Sequence, residues 1–243
     1  MRVSKRKYLG QHYLNDSKIV EKIISYSNIK SEEIVCEMGT GNGILTSQLC
    51  KHAKFVRSFE IDEKKQKHLI NLTKKHDNLE IINKDIIKED VYFDIFVSNI
   101  PYSQTRKIFF WLTTKKFNRA VIMIQKEVSE KIISKKGQKK YRSISAILQY
   151  CFYIERLFAV NKRSFDPIPK VDSEIIRLTT KNKIMTKNTI SIINWIFSLK
   201  NKKVSNILKK YNIESEFGNL KIKELSPEQL VALSKKIKVE SKN

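Results

Sequence analysis

Glycine, proline and cysteine are all scarce in this chain, whose 243 residues include six Gly, four Pro and three Cys. So little Gly and Pro excludes a collagen-like or mucin-like polymer. Cys36, Cys50 and Cys151 lie among apolar neighbours without C-x-x-C spacing. They indicate neither a disulfide framework nor a thiolate zinc site and read as core thiols. His12, His52, His68 and His76 lack the i, i+4 partner of a zinc hydrolase, so no metal site is expected. No apolar run approaches the roughly 20 residues that cross a bilayer. The opening MRVSKRKYLGQ has no apolar stretch that would make a secretory signal. The expectation is a cytoplasmic protein with no membrane partner.

Acidic residues are also in short supply. Against 25 Asp and Glu stand 48 Lys and Arg, a formal net charge of +23 at pH 7. With 41% hydrophobic residues the chain can fill a core, and its length suits one large α/β domain or a domain plus an appendage. Of the basic residues 39 are Lys and 9 are Arg, so a coding bias toward Lys accounts for part of the surplus but not for the missing acids. The field of such a surplus points to nucleic acid, with an anionic membrane surface as the lesser alternative. Arg2, Lys5, Arg6 and Lys7 form a basic N-terminal arm, and Lys135, Lys136, Lys139, Lys140 and Arg142 surround Gly137 in an expected exposed loop. Either cluster alone reads equally well as a solvated face.

Three of the six glycines, Gly39, Gly41 and Gly43, fall within five residues. Ile34 to Met38 before them reads as a short buried strand, and Ile44, Leu45, Leu49 and Ala53 after them have helical spacing. Strand, glycine turn and helix open a nucleotide-binding α/β fold, because glycine lets the backbone turn sharply and approach a ligand. Alone the motif is weak, and a plain tight turn is the competing reading. Phe55 to Glu60 reads as a second strand whose acid lies 21 residues past Gly39, the distance at which a carboxylate reaches ribose hydroxyls. A third strand, Leu79 to Asn83, is followed by Asp85. Each acid could equally be a helix cap or loop charge, but ligands of open parallel sheets bind along that strand edge. Glu37 suits either bracing the glycine loop or touching ligand.

The fourth strand, Phe93 to Ser98, runs into Asn99-Ile100-Pro101-Tyr102. An adenine amine is a poor nucleophile because its lone pair is delocalised into the ring. The Asn99 amide oxygen and a neighbouring backbone carbonyl can both accept from that amine, Pro101 stiffens the loop, and Tyr102 offers a face on which a base can stack.

These residues, in order, make the chain similar to the ribosomal RNA adenine N6,N6-dimethyltransferase family. The resemblance runs through Leu9 to Leu14, Glu37 to Thr46, Phe59 to Asp62, Asp85, Asn99 to Tyr102, Gln125 to Val128 and Phe165 to Ser173. It implies an α/β, Rossmann-like S-adenosyl-L-methionine-dependent methyltransferase domain. It further implies that His12 and Leu14 lie beside the methionine end of the cofactor, and that Gly39 and Gly41 let the loop pass close to it. Glu60 would bind the ribose, Asp85 the cofactor's adenine, and Asn99 both the reacting centre and the target base, which Tyr102 and Phe165 would sandwich. His12-Tyr13 stands where bacterial members usually carry Asn-Phe, a form closer to archaeal and eukaryotic members. Asp172 could anchor the aromatic loop.

Beyond about Lys181 helical spacing appears in Ile190 to Leu199, Val204 to Leu208 and, after Ser226-Pro227-Glu228, up to Ile237. The expected division is a catalytic domain over 1–181 and a small C-terminal helical, RNA-binding domain over 182–243. From Lys181 on there are 14 basic and 5 acidic residues, so both parts share the surplus. Phe197 to Val204 and Leu225 to Leu230 look more like the branch modifying adjacent adenosines near the 3′ end of small-subunit rRNA. The implied partner is rRNA within a small-subunit precursor particle, met by a monomer. The large-subunit resistance branch, a ribosome-assembly factor without catalysis and a DNA adenine methyltransferase stand as alternatives.

Overall fold

The computed structural model describes residues 12–209 and 214–240. The basic N-terminal arm and Leu9 to Gln11 lie outside the described residues. Among the described residues nine strands are formed: β1 Tyr13–Leu14, β2 Ile34–Met38, β3 Phe55–Phe59, β4 Leu79–Ile82, β5 Ile95–Asn99, β6 Arg119–Gln125, β7 Phe152–Val160, β8 Phe165–Asp166 and β9 Ser173–Thr180. Seven make one sheet in the order β4-β3-β2-β5-β6-β9-β7, while β1 and β8 pair separately. β2, β5 and β6 are buried almost end to end, the pattern of strands covered on both faces of a parallel sheet.

The sheet is parallel from β4 to β6 and antiparallel between β6 and β9, with Arg119 opposite Thr179 and Gln125 opposite Ser173. The chain passes outward from β2 through β3 to β4, then returns to the other side of β2 at β5. This reversal opens a crevice beyond the carboxyl ends of β2 and β5, the usual ligand position in such sheets.

Helix α1, Ser17–Ser27, is capped by the Asp16 carboxylate, which accepts from the amides of Lys18 (3.1 Å) and Ile19 (3.3 Å). It buries Val20, Ile23 and Ser27 on one face. Helix α2, Ile44–His52, starts directly from the glycine loop and buries Leu45, Thr46, Leu49 and Cys50. All three cysteines are free and buried, and burial pushes the Cys50 and Cys151 thiols up to about 12, which makes them inert.

Two compact units are present. The first comprises residues up to Ile108 with Lys116–Lys126 and Glu155–Thr180. The second comprises Phe109–Lys115, Glu127–Ile154 and the chain from Lys181. The second unit thus groups the segment from Lys181 with 109–115 and 127–154. Its core joins Tyr141 and Ala146 to Ile196, Phe197, Val204, Leu225, Leu230 and Leu233. These come from helices Ser143–Cys151, Lys187–Ser198, Val204–Leu208 and Pro227–Glu240 and the loops between them. The last of these helices starts from a reciprocal cap in which the Gln229 amide donates to the Ser226 hydroxyl and the Ser226 amide to the Gln229 side chain.

Lys135 to Lys140 are exposed as expected. Gly137, at φ +82°, turns this loop and donates its amide to the Lys223 carbonyl at 2.7 Å, while buried Tyr141 anchors it through the Leu225 carbonyl. No helix of the described residues is long and apolar enough to cross a membrane.

Candidate active site

A cavity of about 200 Å³, open at its mouth, occupies the crevice of the first unit. The carboxyl ends of four parallel strands supply its floor: Met38 and the glycine loop after β2, Glu60 after β3, Asp85 after β4 and Asn99 in β5. Gly39, Gly41 and Gly43 all have φ between +61° and +80°, a conformation costly for any residue with a Cβ. At Gly43 a Cβ would also lie 2.8 Å from Leu72 Cδ2, and at Gly41 it would press on the Tyr13 ring at 3.4 Å. Glycine is thus required both for the turn and for close packing of the loop.

Two carboxylates hold this loop. Glu60, 4% exposed, accepts the Gly41 amide at 3.1 Å on Oε2 and the Asp62 amide at 3.0 Å on Oε1. Glu37 lies below, where its Oε2 accepts hydroxyl hydrogen bonds from Thr46 and Ser58, both 2.7 Å, with Thr40 hydrogen-bonded to Ser58. Glu37 therefore braces the loop and the start of α2, and it also lines the cavity. Its burial, opposed by the Ser58 and Thr46 hydroxyls and assisted by the charge of Glu60, lifts the carboxyl from 4.5 to about 7.

Asp85 both caps a 3₁₀ turn, accepting the Ile87 amide at 3.1 Å on Oδ1, and lines the cavity. Opposite, the Asn99 Nδ2 donates to the His12 carbonyl at 3.2 Å, which fixes the amide orientation and reserves its oxygen as an acceptor. The Tyr102 hydroxyl is hydrogen-bonded to Ser173 Oγ at 2.7 Å, which pins the phenol ring. The His12 ring stands beside it, centroids 5.4 Å apart and tilted by 37°, with Nδ1 donating to the Pro167 carbonyl at 2.7 Å. This bond settles the imidazole tautomer whenever the ring is neutral.

The structure brings His12, Leu14, Gly39, Gly41, Glu60, Asp85, Asn99 and Tyr102 to one cavity. Phe165 does not line this cavity. It is 3% exposed and packs in the core with Leu14, Val160 and Ile175. The reason is strand alternation: β8 pairs with β1, Leu14 opposite Phe165, and this places Phe165 inward and Asp166 outward. The ring beside Tyr102 is that of His12. Asp172 acts as an anchor, accepting the Lys162 amide on its side chain at 3.0 Å and the Lys126 amide on its carbonyl at 3.1 Å. Tyr13, Thr40, Lys65, Gln104 and Lys107, which carry no site signal in the sequence, line the same cavity. None sits in a pattern that marks ligand binding, though Tyr13 and Thr40 fall inside the stretches Leu9 to Leu14 and Glu37 to Thr46.

The family model for ribosomal RNA adenine dimethylase matches residues 2–239. The chain belongs to the ribosomal RNA adenine dimethylase family. It is 35% identical over 233 residues to the ribosomal RNA small subunit methyltransferase A of Thermotoga neapolitana, covering 94% of this chain and 90% of the relative. The same-named protein of Mycoplasmopsis synoviae is 35% identical over 232 residues, with 90% and 85% covered. Among solved structures, a dimethyladenosine transferase from Plasmodium falciparum superimposes with a TM-score of 0.80 at 26% identity, over 95% of this chain and 98% of that one. The 23S rRNA methyltransferase ErmE shares the fold, with a TM-score of 0.68 at 24% identity over 93% and 99%. Similarity to both bacterial and eukaryotic members means that His12-Tyr13 does not by itself assign the chain to one lineage. As a dimethylase of this family the chain is an enzyme that uses S-adenosyl-L-methionine and acts on rRNA.

The cavity fits that cofactor. A glycine loop held at positive φ, a buried acceptor carboxylate at Glu60, a second acid at Asp85 and apolar side chains from Ile61 and Ile86 suit a nucleoside with a polar ribose and a flat apolar base.

Proposed function

We propose that this enzyme dimethylates the exocyclic N6 amine of adenosines, two adjacent ones, near the 3′ end of small-subunit rRNA during ribosome biogenesis. The observation that carries the reading is Asn99, whose Nδ2 is committed to the His12 carbonyl, so its oxygen is presented as the acceptor beside Tyr102. S-adenosyl-L-methionine supplies an electrophilic methyl group carried on a sulfonium. Asn99 orients the amine, accepting from its N–H so that the nitrogen lone pair turns toward the electrophile. Tyr102, pinned by Ser173, provides a face for a base taken out of its stack, and such stacking is worth roughly 1–3 kcal/mol. Asn99 accepts from the N–H without removing its proton, so the chain orients the amine and supplies no strong base; the proton that methylation would leave in surplus on nitrogen would pass to water at the open mouth of the cavity. Alignment alone is worth about 7–11 kcal/mol in favourable cases.

Gly39, Gly41, Glu60 and Asp85 are assigned to the cofactor, Glu60 to its ribose and Asp85 to its adenine amine. His12 and Leu14 are assigned to the methionine end. The small-subunit branch is favoured by the names of the relatives at 35% identity and by Phe197 to Val204 and Leu225 to Leu230. A cytoplasmic monomer acting on a precursor particle, gripped in part by the basic helical unit, completes the reading.

The test supplies labelled cofactor with small-subunit particles, large-subunit RNA or duplex DNA, followed by mapping of dimethyladenosine. Label at adjacent adenosines near the small-subunit 3′ end is expected. Label in large-subunit RNA selects the resistance branch, and binding without transfer refutes catalysis. Tyr102→Ala should lose transfer while cofactor affinity persists; unchanged methylation in that variant overturns the stacking role.

A further inference from the structure

Among the described residues that line the cofactor cavity, Lys65 has a buried ammonium without a hydrogen-bond acceptor. Lys65 closes the 3₁₀ turn Glu63–Lys65, its backbone amide bonded to the Asp62 carbonyl at 3.1 Å. Its side chain is 14% exposed, and the buried Nζ has no hydrogen-bond partner. The nearest charge is Glu60 Oε2 at 3.8 Å, an ion pair too long for a hydrogen bond, and the ammonium also lies 4.0 Å from the centroid of the Tyr13 ring. Both contacts compensate the charge, yet neither takes one of its three N–H donors in a hydrogen bond. Buried donors are almost always paired, and one left open in a ligand cavity marks a place for a ligand acceptor.

The neighbouring group has the opposite chemistry. Glu60 accepts only, and each of its oxygens already takes one amide, from Gly41 and Asp62, with lone pairs remaining. Side by side, therefore, stand a carboxylate that seeks donors and an ammonium that seeks an acceptor. A vicinal diol satisfies both, since each hydroxyl donates one hydrogen and accepts through two lone pairs. A simple anion would meet Glu60 unfavourably, and a simple amine would meet Lys65 unfavourably.

We propose that Lys65 is a cofactor-binding residue that donates to a ribose hydroxyl oxygen while the ribose hydroxyls donate to Glu60, so that the pair reads the diol rather than the carboxylate alone. The proposal rests on the assignment of the ribose to Glu60. It also gives Lys65 a second task, holding the Tyr13 ring against Gly41, whose Cβ position is 3.4 Å from that ring.

Calorimetric titration of the full chain with S-adenosyl-L-homocysteine and with its 2′-deoxy and 3′-deoxy ribose analogues tests this, using the natural protein, Lys65→Met and Glu60→Gln. Methionine keeps the apolar stem and removes the donors, and thermal unfolding of each variant checks the fold. Lys65→Met should weaken the parent ligand by about tenfold, the scale of one hydrogen bond from a charged donor. It should weaken one of the two deoxy analogues much less. An equal loss for all three ligands would mean that Lys65 acts only through Tyr13 and overturns the proposal, as would no loss at all. If Glu60→Gln weakens the parent and Lys65→Met does not, only the role of Lys65 fails. If neither variant matters, the ribose assignment falls as well.

Discussion

Replacing Glu37 by glutamine should stabilise the protein at alkaline pH, by an amount that shrinks as the solution is acidified. The carboxyl is 1% exposed, and burial outweighs the Ser58 and Thr46 hydroxyls to raise it from 4.5 to about 7. A raised acid binds its proton more tightly in the native than in the unfolded state. Its destabilising effect is therefore absent well below pH 4.5, grows as pH rises toward 7 and is constant above. At about 1.36 kcal/mol per unit the full effect is about 3 kcal/mol, of which about 2.5 kcal/mol develops between pH 5 and pH 8. Glutamine has no charge to desolvate, and its amide oxygen can take over both hydroxyl hydrogen bonds made to Oε2. Urea unfolding of both proteins at pH 5, 6, 7 and 8 isolates the term, since titrating groups that do not interact with Glu37 cancel in the difference. The gap should widen in favour of Glu37→Gln by about 2–3 kcal/mol across that range. Parallel stability profiles would refute the argument, because they would mean that the buried carboxyl titrates alike in both states.

Gly43→Ala forces φ +77° on a residue with a Cβ and drives that atom to 2.8 Å from Leu72. It should cost about 1–3 kcal/mol in chemical denaturation, and part of the loss should return in the double variant with Leu72→Ala. Arg119 forks onto Glu33 at 2.8 and 2.6 Å and also donates to the Ser27 carbonyl. Arg119→Met should destabilise by about 3 kcal/mol at pH 7. Burial alone would raise Glu33, but Arg119 and the Lys30 amide bring it below 4.5, so the stability this carboxylate adds is present above pH 4.5 and lost as pH falls through its lowered value; the cost of the substitution should shrink there. Changing Lys135, Lys136 and Lys139 to Gln should flatten the log–log salt dependence of rRNA binding by about 2–3, and an unchanged slope would remove this exposed loop from the RNA interface.

The part of the fold that was legible is the part governed by short-range pattern. Ile34 to Met38 and Phe55 to Phe59 are central strands and read as apolar runs, and the clustered glycines mark the turn between the first of them and its helix. The acids at 60 and 85 were placed by the rule that ligands gather where parallel strands end. Harder to read was what depends on pairing across the chain. The inward facing of Phe165 is decided by Leu14, far away in sequence, and nothing local distinguishes it from a ring aimed at ligand. Lys65 is one lysine in the run Glu63-Lys64-Lys65-Gln66-Lys67, and nothing local in that run marks it for the cavity. The allegiance of 127–154 to the helical unit is likewise set by packing, with Tyr141 and Ala146 joining a core otherwise built from residues beyond 190.

The pairing of β1 with β8 has a consequence for biosynthesis. The wall that carries His12, Tyr13 and Leu14 is tied down by Phe165, Asp166, Pro167 and Ser164, through the strand register, the His12 bond to Pro167 and the Ser164 bonds to Asn15 and Asp16. A nascent chain can close the parallel strands around the glycine loop early, while this wall must wait until residues near 167 have left the ribosome. Competence to hold the cofactor is therefore gained late in translation, after the sheet that supports it, and a fragment ending before Ser164 would keep the glycine turn but lose the contacts that fix one side of the cavity.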